Sequence, residues 1–312
     1  MRGATAADSG IAKNSKESCF ALVLQFLQLF PELRNMYQSF GQFAKKRQTN
    51  ICEQAYEFVV RQSKSLISKN NLTKPPFSPQ RLAESQGIKV SLEDLGTLSG
   101  LVLPLNDTFE IKINARHSVT RQNFSCAHEL AHTFFKSSGG KLLMGRIERQ
   151  EGMSGARKIE EDLCDVGASE LLMPQQVFKK TAENYNFSLT SLVPLSHLFE
   201  ISIIPAALRL CDIIPQRCSL ILWTKKDDSK LHASWFTWSR KKILSKTGRF
   251  LFNPKTVCAE STIMEAYLSD KLVRVNDRVR VGTFVGDCHM WSQGFDSGPS
   301  RFVLSLIFPE IP

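Results

Sequence analysis

The stretch Phe124-Ser125-Cys126-Ala127-His128-Glu129-Leu130-Ala131-His132-Thr133-Phe134-Phe135 decides how this 312-residue chain is read. Phe124, Ala127, Leu130, Ala131, Phe134 and Phe135 form an apolar stripe at helical spacing, with no Gly or Pro inside it. The pattern predicts a helix that Gly139-Gly140 ends. On such a helix His128 and His132 lie one above the other on a single face. Two imidazoles placed that way can bind one zinc ion through ring nitrogens. Glu129 between them can then take a proton from a water that the ion activates. The same residues have a plainer reading, two partly buried structural histidines beside an exposed glutamate.

A catalytic zinc needs a third protein ligand and one open position. Downstream, Ile159 to Pro174 reads as a second helix that the proline stops. Glu161 and Asp165 project from one face of it, so one carboxylate can ligate a metal while the other hydrogen-bonds the far nitrogen of a ligand histidine. Against this stands a purely helical explanation, because Glu160, Glu161 and Asp162 would all be favoured at a helix N-terminus.

Taken together, Ile113-Asn114, Arg121 and Phe124, the Ala127 to His132 run, Glu161 with Cys164-Asp165, and Leu171-Leu172-Met173-Pro174 resemble the ImmA/IrrE family of zinc metallopeptidases. The resemblance covers residues 52–211. It implies that His128, His132 and Glu161 hold zinc, that Glu129 is the general base, and that Asp165 supports a ligand histidine. By the same match Glu160 would point away, since adjacent helical residues project about 100° apart. The chain departs from the family in carrying Ala131 where Gly is usual, Cys164-Asp165 for Ala-Asn, and Gly167-Ala168 for Phe-Ala, so that Gly167 removes a packing aromatic. The resemblance further implies limited, regulatory cleavage of a helix-turn-helix repressor, often encoded alongside, that switches on a stress response or a mobile element.

Composition sets the outer bounds. With 42% hydrophobic and 22% charged residues the chain is ordinary for a soluble globular protein, and 312 residues suffice for two domains. No run of eighteen apolar residues occurs, so no membrane span is expected. Eight cysteines without a Cys-x-x-Cys pair, with Cys126 and Cys164 on apolar helical positions, suggest reduced, buried thiols and a cytoplasmic protein. The net charge of +10 allows an acidic partner or nucleic acid, the latter not favoured.

Along the chain, residues 1–50 read as an extension with small polar residues followed by an apolar run from Cys19 to Phe30. Ile51 to Lys69 is an amphipathic helix, and Ser78-Pro79 caps a short one that Gly87 closes. Ile88 to Val90 is a short strand. Leu101 to Leu105 and Phe109 to Asn114 form a hairpin, with Phe109 to Asn114 as the candidate edge for an extended substrate. Residues 141–158 read as a connector or as a lid over the metal. Ser191 to Leu210 gives two apolar helices with a helix-turn-helix look, assigned a structural role because only Arg209 is basic on the second. His117 and His197 are candidates to stabilise an oxyanion or are ordinary polar residues.

From Cys211 onward the pattern alternates. Ser219 to Thr224, His232 to Trp238, Leu272 to Val281 and Arg301 to Phe308 read as strands. Basic residues and tryptophans over 225–250 read as a solvated face with core tryptophans rather than a single-strand nucleic-acid surface. The whole is an α+β chain with a zincin-like peptidase domain over 51–211 and a β-rich C-terminal domain over 212–312. The favoured function is zinc-dependent limited proteolysis. The alternative is a DNA-associated or ligand-sensing regulator whose metal site is structural or vestigial.

Overall fold

The computed structural model describes residues 44–105, 108–135, 155–227, 230–239, 256–257, 261–281, 284–297 and 300–309. The apolar run from Cys19 to Phe30, most of the 141–158 connector and much of the basic 225–250 stretch lie outside them. The chain divides into two units, Met1–Pro174 and Gln175–Pro312.

In the first unit, helix α1 (Ala44–Lys69) starts ahead of the expected Ile51 and buries Ala55, Val59, Ser63 and Leu66, positions that recur at helical spacing. Helix α2 (Pro79–Glu84) begins as its sequence predicts: Ser78 Oγ accepts from the Arg81 N–H at 3.3 Å, with Pro79 in the first turn. Gly87 follows in the left-handed region at φ 72°, which a residue with a Cβ rarely adopts. Three strands then form a mixed sheet in the order β1-β3-β2. Strand β1 (Lys89–Glu93) runs parallel to β3 (Thr108–Asn114), and β2 (Gly100–Leu105) runs antiparallel to it.

The sequence reading made Phe109 to Asn114 a substrate-pairing edge. It is instead the central strand, β3, hydrogen-bonded on both sides. Its alternating Phe109, Ile111 and Ile113 are all buried, which makes the central strand the most buried of the three. The edges of this sheet are β1 and β2.

Two helices complete the unit, α3 (Val119–His132) and α4 (Gly155–Leu172). Helix α3 ends at His132, well before Gly139. The N–H groups of Thr133, Phe134 and Phe135 turn to carbonyls three residues back, at 3.1, 3.0 and 3.1 Å, and Thr133 Oγ1 donates to the Leu130 carbonyl at 2.6 Å. Helices α1, α3 and α4 meet through Val59, Ala131, Phe135, Cys164 and Val166. Gly167 sits at this crossing: a Cβ there would come 2.6 Å from Ala131 Cβ and 3.2 Å from Val59 Cγ1. The space expected to be short of an aromatic is therefore occupied by Ala131 and Val59.

The second unit opens with α5 (Gln175–Glu183), a single 3-10 turn (Leu189–Ser191), α6 (Leu192–Phe199) and α7 (Ile203–Ile213). Helices α6 and α7 bend 118° at their break, and Glu200 makes the turn in the left-handed region. Arg209 is buried, so the only basic residue of α7 is withdrawn from any groove-reading role. An antiparallel sheet of six strands follows in the order β6-β5-β4-β9-β8-β7. Its strands are β4 (Ser219–Asp227), β5 (Lys230–Trp238), β6 (Thr256–Val257), β7 (Val273–Val281), β8 (Phe284–Ser297) and β9 (Ser300–Pro309), with α8 (Thr262–Leu268) between β6 and β7. One face buries Trp223, Met290, Val303 and Ile307 against Ile263, Met264 and Ala266 of α8.

The sequence reading set the domain boundary at 211, whereas the chain divides after Pro174. Helix α7 packs on β4, and Cys211 Sγ lies 3.4 Å from Cys218 Sγ beside the start of that strand, both buried. Helix α7 thus finds a partner surface in the sheet that follows, and α5 and α6 pack against α7. Among the described residues the free cysteines, Cys126, Cys164, Cys211, Cys218 and Cys288, are all buried. No single helix there is long and apolar enough to cross a membrane.

Candidate metal centre

Helix α3 supplies the two histidines one turn apart, with ring centroids 5.0 Å from each other and rings near perpendicular. Their Nε2 atoms face the two oxygens of one carboxylate on α4. His128 Nε2 is 3.2 Å from Glu161 Oε2, and His132 Nε2 is 3.6 Å from Glu161 Oε1. The ligand-capable atoms of His128, His132 and Glu161 all lie within 4.8 Å of one another.

Each histidine's other nitrogen is taken by a second acid. His128 Nδ1 is 2.9 Å from Asp165 Oδ1, the partner the sequence proposed. His132 Nδ1 is 3.2 Å from Glu160 Oε1. The expectation that Glu160 points away is therefore overturned. Glu160 and Glu161 do project in different directions, but the two nitrogens of an imidazole lie on opposite edges of its ring. Adjacent residues of α4 bracket His132 from both.

Electrostatics favour a cation at this point. Burial of His128 works against the charged imidazole, yet hydrogen bonds to Asp165 and Glu161 and the charge of Glu129 outweigh it, so its pKa rises to about 9. A divalent ion between the same carboxylates would supply the positive charge they stabilise. Among the described residues the convergent ligand-capable atoms are those of His128, His132 and Glu161, and the buried thiols are held protonated. Burial, reinforced by Glu129 and Glu84, pushes Cys126 up to about 12, and burial together with Glu160, Glu161, Glu129 and Asp165 holds Cys164 well above its ordinary value. The donor set is two imidazoles and a carboxylate, which fits zinc.

Glu129 is half-buried between the histidines and borders β2. A Cβ on Gly100 would meet Glu129 Cγ at 3.1 Å and Oε1 at 3.3 Å, so a larger residue there would have to displace the carboxylate slightly. The segment ahead of Gly100 is pinned by residues that the sequence motifs contain. Asn114 is fully buried and donates to the carbonyls of Gly96 and Leu98 at 3.0 and 2.7 Å. Its N–H reaches the Ser99 carbonyl at 3.1 Å, while Arg121 donates to Ser99 Oγ at 3.0 Å. Sequence reasoning missed Gly100, Ser99 and the role of Glu160. Only the acid run next to Glu161 carried a hint of the last.

His117 lies in the turn before α3, where burial and Arg121 lower its pKa and Nδ1 is enclosed without a hydrogen-bond partner. His197 is exposed on α6 in the second unit.

Residues 83–210 match the family model of the IrrE N-terminal-like domain. Over 134 residues the chain is 28% identical to the radiation response metalloprotease IrrE of Deinococcus radiodurans, a match spanning 43% of this chain and 40% of that protein. Among solved structures it resembles a Mycobacterium tuberculosis transcriptional regulator, with a TM-score of 0.54 at 12% identity, over 83% of this chain and 80% of that one, a likeness of fold alone. The motifs, the helix pair that carries them and the family-model match over residues 83–210 agree in supporting an ImmA/IrrE assignment for that segment.

Proposed function

We propose that this protein is a zinc-dependent endopeptidase that makes limited, regulatory cuts in a protein substrate. One observation carries the reading: both Nε2 atoms converge on Glu161 while both Nδ1 atoms are held by other acids, with Glu129 half-buried on the same helix as the histidines. His128, His132 and Glu161 would hold the ion. Bound there, zinc supplies Lewis-acid activation of water and of the scissile carbonyl. Glu129 accepts the proton of the attacking water on its carboxylate and delivers it to the leaving amine. Asp165 orients His128.

The substrate strand would lie along β2, not β3. Because Asn114 N–H bonds the Ser99 carbonyl, Ser99 is a bonded partner of β3, and by antiparallel alternation Gly100, Val102 and Pro104 turn their main-chain groups outward. Pro104 falls at an outward position, where its missing N–H costs no ladder bond. An extended peptide pairing with Gly100 and Val102 would run beside Glu129. The family resemblance makes that peptide part of a helix-turn-helix repressor, and the relative's description as a radiation response metalloprotease supports a regulatory role. Buried free thiols support a cytoplasmic setting.

The test pairs Glu129→Gln with the wild type on a helix-turn-helix repressor from the same genome, with and without chelator. The variant is expected to bind metal normally and to cut at least ~100-fold more slowly. Wild-type cutting by the variant, or cutting that survives chelation, would sink the hydrolytic reading.

A further inference from the structure

We infer that Glu160 is a positioning residue for the metal centre, holding His132 as Asp165 holds His128; this rests on the reading of His128, His132 and Glu161 as ligands. The histidine next to a metal needs its remote nitrogen engaged, because that bond fixes both the tautomer and the plane of the ring. His132 Nδ1 has Glu160 Oε1 at 3.2 Å, so a metal taken by Nε2 would leave an Nδ1–H that donates to the carboxylate. The same division of labour holds at His128, where Nδ1 has Asp165 and Nε2 has Glu161. One helix thus provides the ligand and both supports, at 160, 161 and 165.

Helix-dipole preference does not account for Glu160. Helix α4 begins at Gly155, which puts Glu160 beyond the first turn, where the dipole is felt most. Nor is it a solvated acid. Its side chain is 11% exposed against 50% for Asp165, so its bond to the imidazole is less screened by water than the one that sequence alone identified. The contribution of Glu160 to metal affinity therefore equals or exceeds that of Asp165.

The test is a competition titration of zinc against a chromophoric chelator for the wild type and for Glu160→Ala, Glu160→Gln, Asp165→Ala and Glu161→Ala, with thermal melts of each in the metal-free state. Glu160→Ala is expected to weaken zinc about 10–100-fold, at least as much as Asp165→Ala. Glu160→Gln keeps an oxygen that accepts the Nδ1–H and is expected to restore most of that loss. It also keeps the side-chain shape, so a folding defect in the alanine variant leaves the test intact. Cobalt(II) substitution adds a second readout, in which the visible bands of Glu160→Ala shift and those of Glu160→Gln stay near wild type. Wild-type zinc affinity in Glu160→Ala, or a glutamine variant as weak as the alanine, overturns the inference. Unchanged affinity in Glu161→Ala overturns the ligand reading beneath it instead. Loss of binding in Glu160→Ala with retention in Glu161→Ala would exchange the two roles and refute both.

Discussion

At Gly167 and at Gly294 two elements meet through a glycine, and the two contacts serve different ends. In the first unit Gly167 of α4 meets Ala131 of α3, where a Cβ would come within 2.6 Å of the alanine Cβ. In the second unit Gly294 of β8 meets α8, where a Cβ would come within 2.5 Å of the Ala266 carbonyl oxygen and 2.8 Å of an Arg301 terminal nitrogen. The physical device is shared: removing a side chain lets two elements approach more closely than ordinary packing allows. What lies beside each contact differs. Next to Gly294, Arg301 spends its donors on the carbonyls of Tyr267 and Ser269 and on Asp270 and Asp296. Next to Gly167, each histidine's Nδ1 is held by a separate acid, while both Nε2 atoms turn to the one carboxylate of Glu161. A polar cluster whose donors are spread over separate acceptors is a brace; one in which two imidazoles turn to a single carboxylate offers a set of metal ligands.

The comparison breaks first at Gly167. Gly167→Ala should force α3 and α4 apart, an overpacking cost of about 1–3 kcal/mol that parting the helices would convert to ~10–100-fold in zinc affinity. Adding Ala131→Gly removes the opposing Cβ and should restore the affinity, although glycine in a helix costs up to ~1 kcal/mol of stability. Zinc titration of the single and double variants reads this out, and a double variant no better than the single would show that the close approach is not what positions the ligands. Gly294→Ala should lower the stability by a similar ~1–3 kcal/mol in a denaturant melt while zinc affinity stays at the wild-type value. A matching loss of zinc would erase the distinction between brace and site. The smallest effect belongs to Gly100→Ala, whose new Cβ would press on Glu129 Cγ at 3.1 Å. Turnover should fall by roughly tenfold at most, less than the ~100-fold of a full ångström of misplacement, with zinc binding unaltered. A drop in zinc affinity as large as that of Gly167→Ala would mean that β2 shapes the ligand set rather than the base.

Legibility in the sequence followed the range of the interactions. His128 with His132 and Glu161 with Asp165 are spaced by one helical turn, so a local pattern sufficed to put each pair on one face. The short capped helix at Ser78-Pro79 and the hairpin from Leu101 to Asn114 were readable for the same reason. Strand order was not. Strand β3 is central because β1 pairs with it in parallel although β2 lies between them in sequence, and nothing in the alternation of Phe109, Ile111 and Ile113 reveals that second neighbour. Strand β8 escaped notice because Gly286, Gly294 and the polar run Ser292-Gln293 interrupt its pattern while the ladders to β7 and β9 hold it extended. Glu160 was misjudged for a geometric reason: its direction on α4 was right, but which edge of the His132 ring it would meet depends on how α4 crosses α3. The same crossing turns two departures from the family pattern, Ala131 and Gly167, into one fitted contact.

The most direct measurement is X-ray absorption at the zinc edge on the 312-residue chain loaded with one equivalent of zinc. Coordination by His128, His132 and Glu161 predicts two imidazole nitrogens at about 2.0–2.1 Å, oxygen in the remaining positions and no sulfur. A sulfur shell at about 2.3 Å, or a single imidazole, would contradict it.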